Sequence, residues 1–207
     1  MKIIEHKSPK YPPRTIHNAK SADLTVAIAL DFTTFGEKLT HDAAGEKFVA
    51  IELGKDIREA AKDLYIQCRD RGVKVLNVAG NGEYTTNEHG WNQDRINLYV
   101  YQVMALVHKH HPLEMVISGG QTGADFAGGV AAEVLGIPGV MTFPKGFLQR
   151  TITVKALTQT EAAVRATFEK QVEELSQYIL ANPQELEVNK PKRQPRRHTV
   201  EDDSPAP

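Results

Sequence analysis

The chain has 207 residues, enough for one domain with a sizeable core plus appendages. Its residues are 41% hydrophobic and 25% charged, with a net charge of −1. That is a soluble, globular composition, with no global field toward nucleic acid or a membrane surface. The single cysteine, Cys68, excludes an internal disulfide and a multi-cysteine metal site.

In chain order, residues 1–22 are charged, contain Pro12-Pro13 and read as an extended N-terminal arm. They lack the apolar stretch of a signal peptide. No apolar run approaches the ~20 residues that span a bilayer, so a cytoplasmic location and no membrane partner are expected. Thr25–Leu30 is a short, β-branched apolar run, a buried strand. Residues 31–45 read as a polar loop and 48–53 as a second strand. Asp56 starts a helix with Ile57, Ala60, Ala61, Leu64 and Cys68 on one side. This makes Cys68 a core thiol, and Arg71-Gly72 ends the helix. A strand over 73–78 and a glycine-containing loop over 79–91 follow. A helix from Asp94 ends at His108, Lys109 and His110, a solvated cluster that complements its dipole. Next come a strand over 114–118, a helix over 123–135, a strand over 139–143 and a long helix over 160–180. Residues 182–207 hold Lys190, Lys192, Arg193, Arg196 and Arg197, then Glu201, Asp202 and Asp203. They read as a disordered charged tail, without the aromatic stackers of a nucleic-acid site. The alternation predicts an α/β, Rossmann-like three-layer domain over 23–181, its mostly parallel sheet covered by helices on both faces.

The most specific stretch is Val116-Ile117-Ser118-Gly119-Gly120-Gln121-Thr122-Gly123-Ala124-Asp125. A strand, a glycine-rich turn and a helix start follow one another directly. Helix starts carry free N–H groups and the positive end of the dipole. Glycines let the backbone approach a ligand. The pattern therefore predicts an oxyanion or phosphate site.

This turn, with Leu135-Gly136-Ile137-Pro138 and Pro144-Lys145-Gly146 behind it, resembles the SLOG superfamily. These are Rossmann-like proteins related to DprA and to the lysine-decarboxylase-like (LOG) proteins. Within it, the turn and the Pro-Lys-Gly are most similar to the molybdenum-carrier group. Asn77–Gly82 and Leu30–Glu37 are similar to segments of bacterial and phage proteins with the same turn. The resemblance covers about residues 24–150. It implies a Rossmann-like fold and a nucleotide-derived ligand. The PGGxGTxxE signature of LOG enzymes is absent, so none of their catalytic residues is carried over.

Ligands of open parallel sheets bind beyond the carboxyl ends of the strands. The expected ligand-binding residues are Ser118, Gly119, Gly120, Gln121, Thr122, Gly123, Asp125, Asn81 and Lys145. Thr122 donates to an anion or caps the helix. Asp125 complements the dipole, accepts from a ribose or base, or acts as a base. Lys145 neutralises a phosphate or is simply solvated. Asp31, Glu83 and Asp125 are the catalytic candidates, with Glu37 a further loop carboxylate nearby. Such acids could work on a glycosidic bond. The expected function is binding of a phosphorylated, nucleotide-derived small molecule by a sensor or sequestering protein. Cleavage of a nucleotide's N-glycosidic bond is the enzymatic alternative, and carriage of molybdate or a pterin phosphate the third. No cofactor is specified, no metal site is expected, and a homo-oligomer is left open.

Overall fold

The computed structural model describes residues 1–183. In chain order the elements are β1 (Lys2–Glu5), α1 (Tyr11–Ser21), β2 (Leu24–Ala29), α2 (Phe35–Ala44), β3 (Phe48–Glu52), α3 (Ile57–Arg71), β4 (Val75–Gly80), α4 (Glu83–Thr86), α5 (Gln93–His110), β5 (Met115–Gly119), α6 (Ala124–Val134), β6 (Gly139–Phe143) and α7 (Glu161–Ala181). Residues 184–207, most of the expected tail, lie outside the described residues.

Every residue of β2 is buried, as expected of a strand covered on both faces. All six strands run parallel, in the order β1-β6-β5-β4-β2-β3. Helices α1 and α2 pack on each other, against β5, β6, β2 and β4, while α3, α5, α6 and α7 form a second packed group. This is an α/β, Rossmann-like three-layer fold. Among the described residues no helix is long and apolar enough to cross a membrane.

Several local features follow the sequence closely. Asp56 caps α3 by accepting from the Arg58 and Glu59 amides, and Gly72 ends it in the left-handed conformation. Cys68 is fully buried, and burial pushes its thiol up to about 12. The stripe of α7 buries Val164, Phe168 and Leu175, with Phe168 edge-on to Phe126 of α6.

Two regions correct the sequence reading. Residues 1–22 are not an extended arm. Lys2–Glu5 pairs with β6 at the sheet edge, and Tyr11–Ser21 is helical. Pro12 and Pro13 sit in the first turn of α1, where a missing N–H breaks no bond. The two prolines start a helix rather than forbid one. Residues 31–45 are not all loop, since Phe35–Ala44 forms α2 under a Thr34 cap. Its buried positions are Glu37, Thr40 and Ala44. Their spacing is helical, but two of the three are polar, so no apolar periodicity marked the helix.

The strand order fixes where a ligand can bind. From β2 the chain steps outward to β3, then returns to β4 on the other side of β2 and continues to β5 and β6. The reversal lies between β2 and β4, and the crevice outside their carboxyl ends is the usual ligand site of such sheets.

Candidate functional site

A cavity of about 480 Å³ opens at this reversal, within the ~300–1,000 Å³ of typical small-molecule sites. The loop after β2 contributes Thr34–Glu37, the end of β4 contributes Ala79–Gly82, and β5 and its turn contribute Gly119, Gln121 and Asp125. The convergence of these three loops follows from the neighbouring positions of β5, β4 and β2. A fourth wall is α1, which supplies Tyr11, Arg14, Thr15 and Asn18. Tyr84, Thr85 and Arg150, with Thr40 of α2 and Asn77 of β4, also line it.

Each glycine of the turn is closely packed. A Cβ on Gly119 would lie 1.7 Å from Arg14 Nη1 and 2.1 Å from Asp125 Oδ2. Its missing side chain makes room for an ion pair of 2.7 Å between those residues. A Cβ on Gly120 would meet the Phe143 ring at 2.2 Å, so Gly120 accommodates the core. Gly123 has φ +94, and a Cβ there would come 2.2 Å from the Asn81 carbonyl oxygen. Only glycine fits that combination of conformation and closeness.

At the start of α6 some of the first-turn amides are bonded within the protein, while the Gln121, Thr122 and Asp125 N–H groups have no partner among the described residues. Gly123 N–H donates to Gln93 Oε1 (2.6 Å), Ala124 N–H to the Asn81 carbonyl (3.1 Å) and Phe126 N–H to the Gln121 carbonyl (3.0 Å). Gln93 returns a bond from Nε2 to the Gly123 carbonyl (3.0 Å), clamping that backbone from α5. Thr122 neither caps α6 nor points to an anion, because its hydroxyl donates to the Arg150 carbonyl (2.8 Å). Gln121 grips the backbone of the same residue on both sides, donating from Nε2 to the Arg150 carbonyl (2.8 Å) and accepting the Arg150 N–H (3.1 Å). The turn therefore positions Arg150, whose guanidinium lies 3.6 Å over the Tyr84 ring.

Among the other expected residues, Asn81 lines the cavity and organises it. Its Oδ1 accepts the Leu30 and Asp31 amides at 2.9 Å each, and its Nδ2 donates to the Asp31 carbonyl and to Glu37 Oε1. Ser118 is buried in β5 outside the lining, its Oγ unpartnered. Lys145 is exposed and outside the lining, and its N–H holds the Ser8 carbonyl. Asp31 is exposed, its carboxylate engaged by the Thr33 N–H and hydroxyl, which lower its pKa. Glu83 starts α4 and accepts the Gln93 N–H (3.0 Å). Neither Asp31 nor Glu83 lines the cavity.

The carboxyls that do face it are Asp125 and Glu37. Burial raises Asp125 above its ordinary range, against the pull of the Arg14 guanidinium and a Gly80 N–H. Glu37 is 5% exposed. Burial first, then the neighbouring Asp125, push its carboxyl up to about 8, against the Asn81 hydrogen bond. At neutral pH Glu37 therefore holds its proton.

Sequence reasoning missed Tyr11, Arg14, Asn18 and Arg150. A signal existed in α1, where Tyr11, Arg14, Thr15 and Asn18 recur at helical spacing as a polar stripe. Arg150 carried none, since it is placed by the side chains of Gln121 and Thr122 rather than by its own neighbours.

No family model, no curated protein and no solved structure matches the chain. The chemistry of the cavity is therefore read from its own residues.

Proposed function

We propose that this cavity binds a phosphorylated, nucleotide-derived small molecule. One observation carries the reading. Among the described residues, six buried side-chain polar atoms have no partner, and five belong to residues of this one cavity: Tyr11 Oη, Arg14 Nε, Asn18 Oδ1, Glu37 Oε2 and Arg150 Nε. Buried polar groups are ordinarily satisfied, and a cluster of orphans on residues around one space matches a ligand that satisfies them. The set offers donors and acceptors together, as a sugar and a base require. Tyr11 lines the cavity with an aromatic ring, and Tyr84 carries the Arg150 guanidinium on its face. Among the described residues no carboxylate lies within 4 Å of the Arg150 guanidinium, which leaves its charge for an anionic ligand.

Thermal unfolding with nucleotides and the matching nucleosides tests the reading. Nucleotides raise the melting temperature, because a ligand selective for the folded state stabilises it, and nucleosides raise it less. No shift with any member of the panel defeats the proposal. Native mass spectrometry of protein purified from its host then identifies a retained molecule.

The Glu37–Asp125 pair favours a second reading, hydrolysis of the N-glycosidic bond. A protonated Glu37 gives its proton to the departing base as the C1′–N bond breaks. Asp125 stabilises the positive centre at C1′ and directs water onto it. The water's oxygen bonds to C1′ and its proton passes to a carboxylate. Release of free base that stops in Glu37→Gln supports this reading. Binding without release leaves the protein a sensor or sequestering protein.

A further inference from the structure

The first turn of α2, like that of α6, holds amides that the protein itself does not use. The first turn of any helix has N–H groups without an intrahelical partner. At α2 the Thr34 hydroxyl accepts the Glu37 N–H (3.3 Å) and the Thr34 carbonyl accepts the Lys38 N–H (3.1 Å). The N–H groups of Phe35 and Gly36 have no partner among the described residues. A Cβ on Gly36 would meet nothing closer than Thr34 Oγ1 at 4.0 Å. Residues 34–37 all line the cavity.

A second, independent observation points to a ligand at the same place. Glu37, in the first turn of the helix, is almost fully buried. Asn81 Nδ2 holds its Oε1 at 3.2 Å, while Oε2 has no partner. The residue that follows the two unpaired amides thus carries one unpaired, buried carboxyl oxygen, and all three residues line the cavity.

We propose that the start of α2 is a phosphoryl subsite, in which the Phe35 and Gly36 amides and the Glu37 carboxyl hold phosphate oxygens of the ligand. This rests on the first reading of the cavity, as a nucleotide-binding pocket, and not on the hydrolytic one, in which Glu37 meets the base; it adds which end takes the anion. The dipole of α2 favours negative charge there. Glu37 takes part as a hydrogen-bond donor, its proton retained by burial and by Asp125. The acidic groups around it are Asp125 of α6, paired with Arg14 of α1, and Asp31, whose carboxylate is engaged by Thr33.

Calorimetric titration of inorganic phosphate, adenosine and adenosine 5′-monophosphate tests it, with the full chain and two variants at Phe35. Phe35→Pro deletes one amide hydrogen. Proline suits the first helical position, and Thr34 already has the extended backbone, φ −61 and ψ 156, that precedes proline. Phe35→Ala removes the same ring and keeps the amide. The subsite predicts that Phe35→Pro weakens phosphate and the monophosphate by about tenfold or more, the scale of a charge-assisted bond. Phe35→Ala stays within about twofold for phosphate. Equal binding of phosphate by the two variants overturns the subsite, as does a wild-type chain that binds neither phosphate nor the monophosphate. If circular dichroism shows that Phe35→Pro is unfolded, Glu37→Gln and Glu37→Met replace the pair. The amide of glutamine still donates and keeps the phosphate, the thioether loses it, and equal affinities overturn the proposal. Wild-type binding of phosphate, lost on removal of the amide, together with no uptake of nucleotide or nucleoside, sinks the nucleotide reading and keeps the subsite. Nucleotide binding indifferent to Phe35→Pro does the reverse.

Discussion

Arg14 Nη1 and Asp125 Oδ2 lie 2.7 Å apart although 111 residues separate them in the chain. Both side chains are less than a tenth exposed. The pair ties α1 to the start of α6, and Gly119 leaves it the space it needs. Removing one member of such a pair strands a buried charge and costs about 3–5 kcal/mol. Arg14→Met and Asp125→Leu are therefore each expected to lower unfolding free energy by that order. The double variant should lose less than the sum. Urea unfolding of the four proteins decides it, and additive losses would show that the ion pair is not coupled.

Gly120→Ala is expected to destabilise the fold by about 1–3 kcal/mol through overpacking against the Phe143 ring. Ligand affinity should be retained in the folded fraction, because Gly120 does not line the cavity. Phe143→Leu in the same chain should recover part of the loss. Strong loss of nucleotide affinity at unchanged stability would return Gly120 to the binding surface.

Stability should fall as pH rises through the range in which Glu37 is protonated in the folded chain and ionised in the unfolded one. The carboxyl is raised from 4.5 to about 8, so between those values the folded state binds the extra proton and ∂ΔG/∂pH is negative. The slope from this one group is at most about 1.4 kcal/mol per pH unit. It is absent below the unfolded value and ends above about 8. Glu37→Gln should unfold at the same denaturant concentration as wild type near pH 4, and at a higher one near pH 8. Parallel profiles for the two proteins would show that Glu37 ionises normally.

Arg150→Ala is expected to weaken nucleotide binding by about tenfold or more and to leave stability nearly unchanged. Arg150→Lys should not restore affinity, because a lysine ammonium cannot stack flat over Tyr84 with its remaining donors in plane. Gln121→Ala should weaken binding by a smaller factor, since Gln121 holds the Arg150 peptide at both its N–H and its carbonyl. Binding isotherms on the three variants check the order.

The order of these effects reflects what the sequence could convey. The buried runs of β2, β4 and β5 and the apolar stripes of α3, α5 and α7 were legible, because burial on the scale of a whole element imposes a period. Helix α2 was not, since it buries Glu37 and Thr40 toward the cavity rather than apolar side chains. The glycine turn was legible as a place but not as a mechanism. Whether a missing Cβ admits a ligand, an ion pair or a phenyl ring depends on what lies opposite, and the partners Arg14, Phe143 and the Asn81 carbonyl are remote in the chain. Asp31 and Glu83 were sought as acids because they end or follow strands. Each is instead bonded locally, to Thr33 and to Gln93.

The edge pairing of β1 with β6 sets Lys2 beside Val140 and Glu5 beside Phe143. The strand that leads into α1, and so into the Tyr11, Arg14 and Asn18 wall, thus has its sheet partner almost 140 residues later. During synthesis the first wall of the cavity emerges early and waits for the last strand of the sheet. Contacts closed over such a span form late in folding. A chain released before Phe143 is expected to lack the cavity altogether, whatever helices it has made, so the cavity appears only on completion of the sheet.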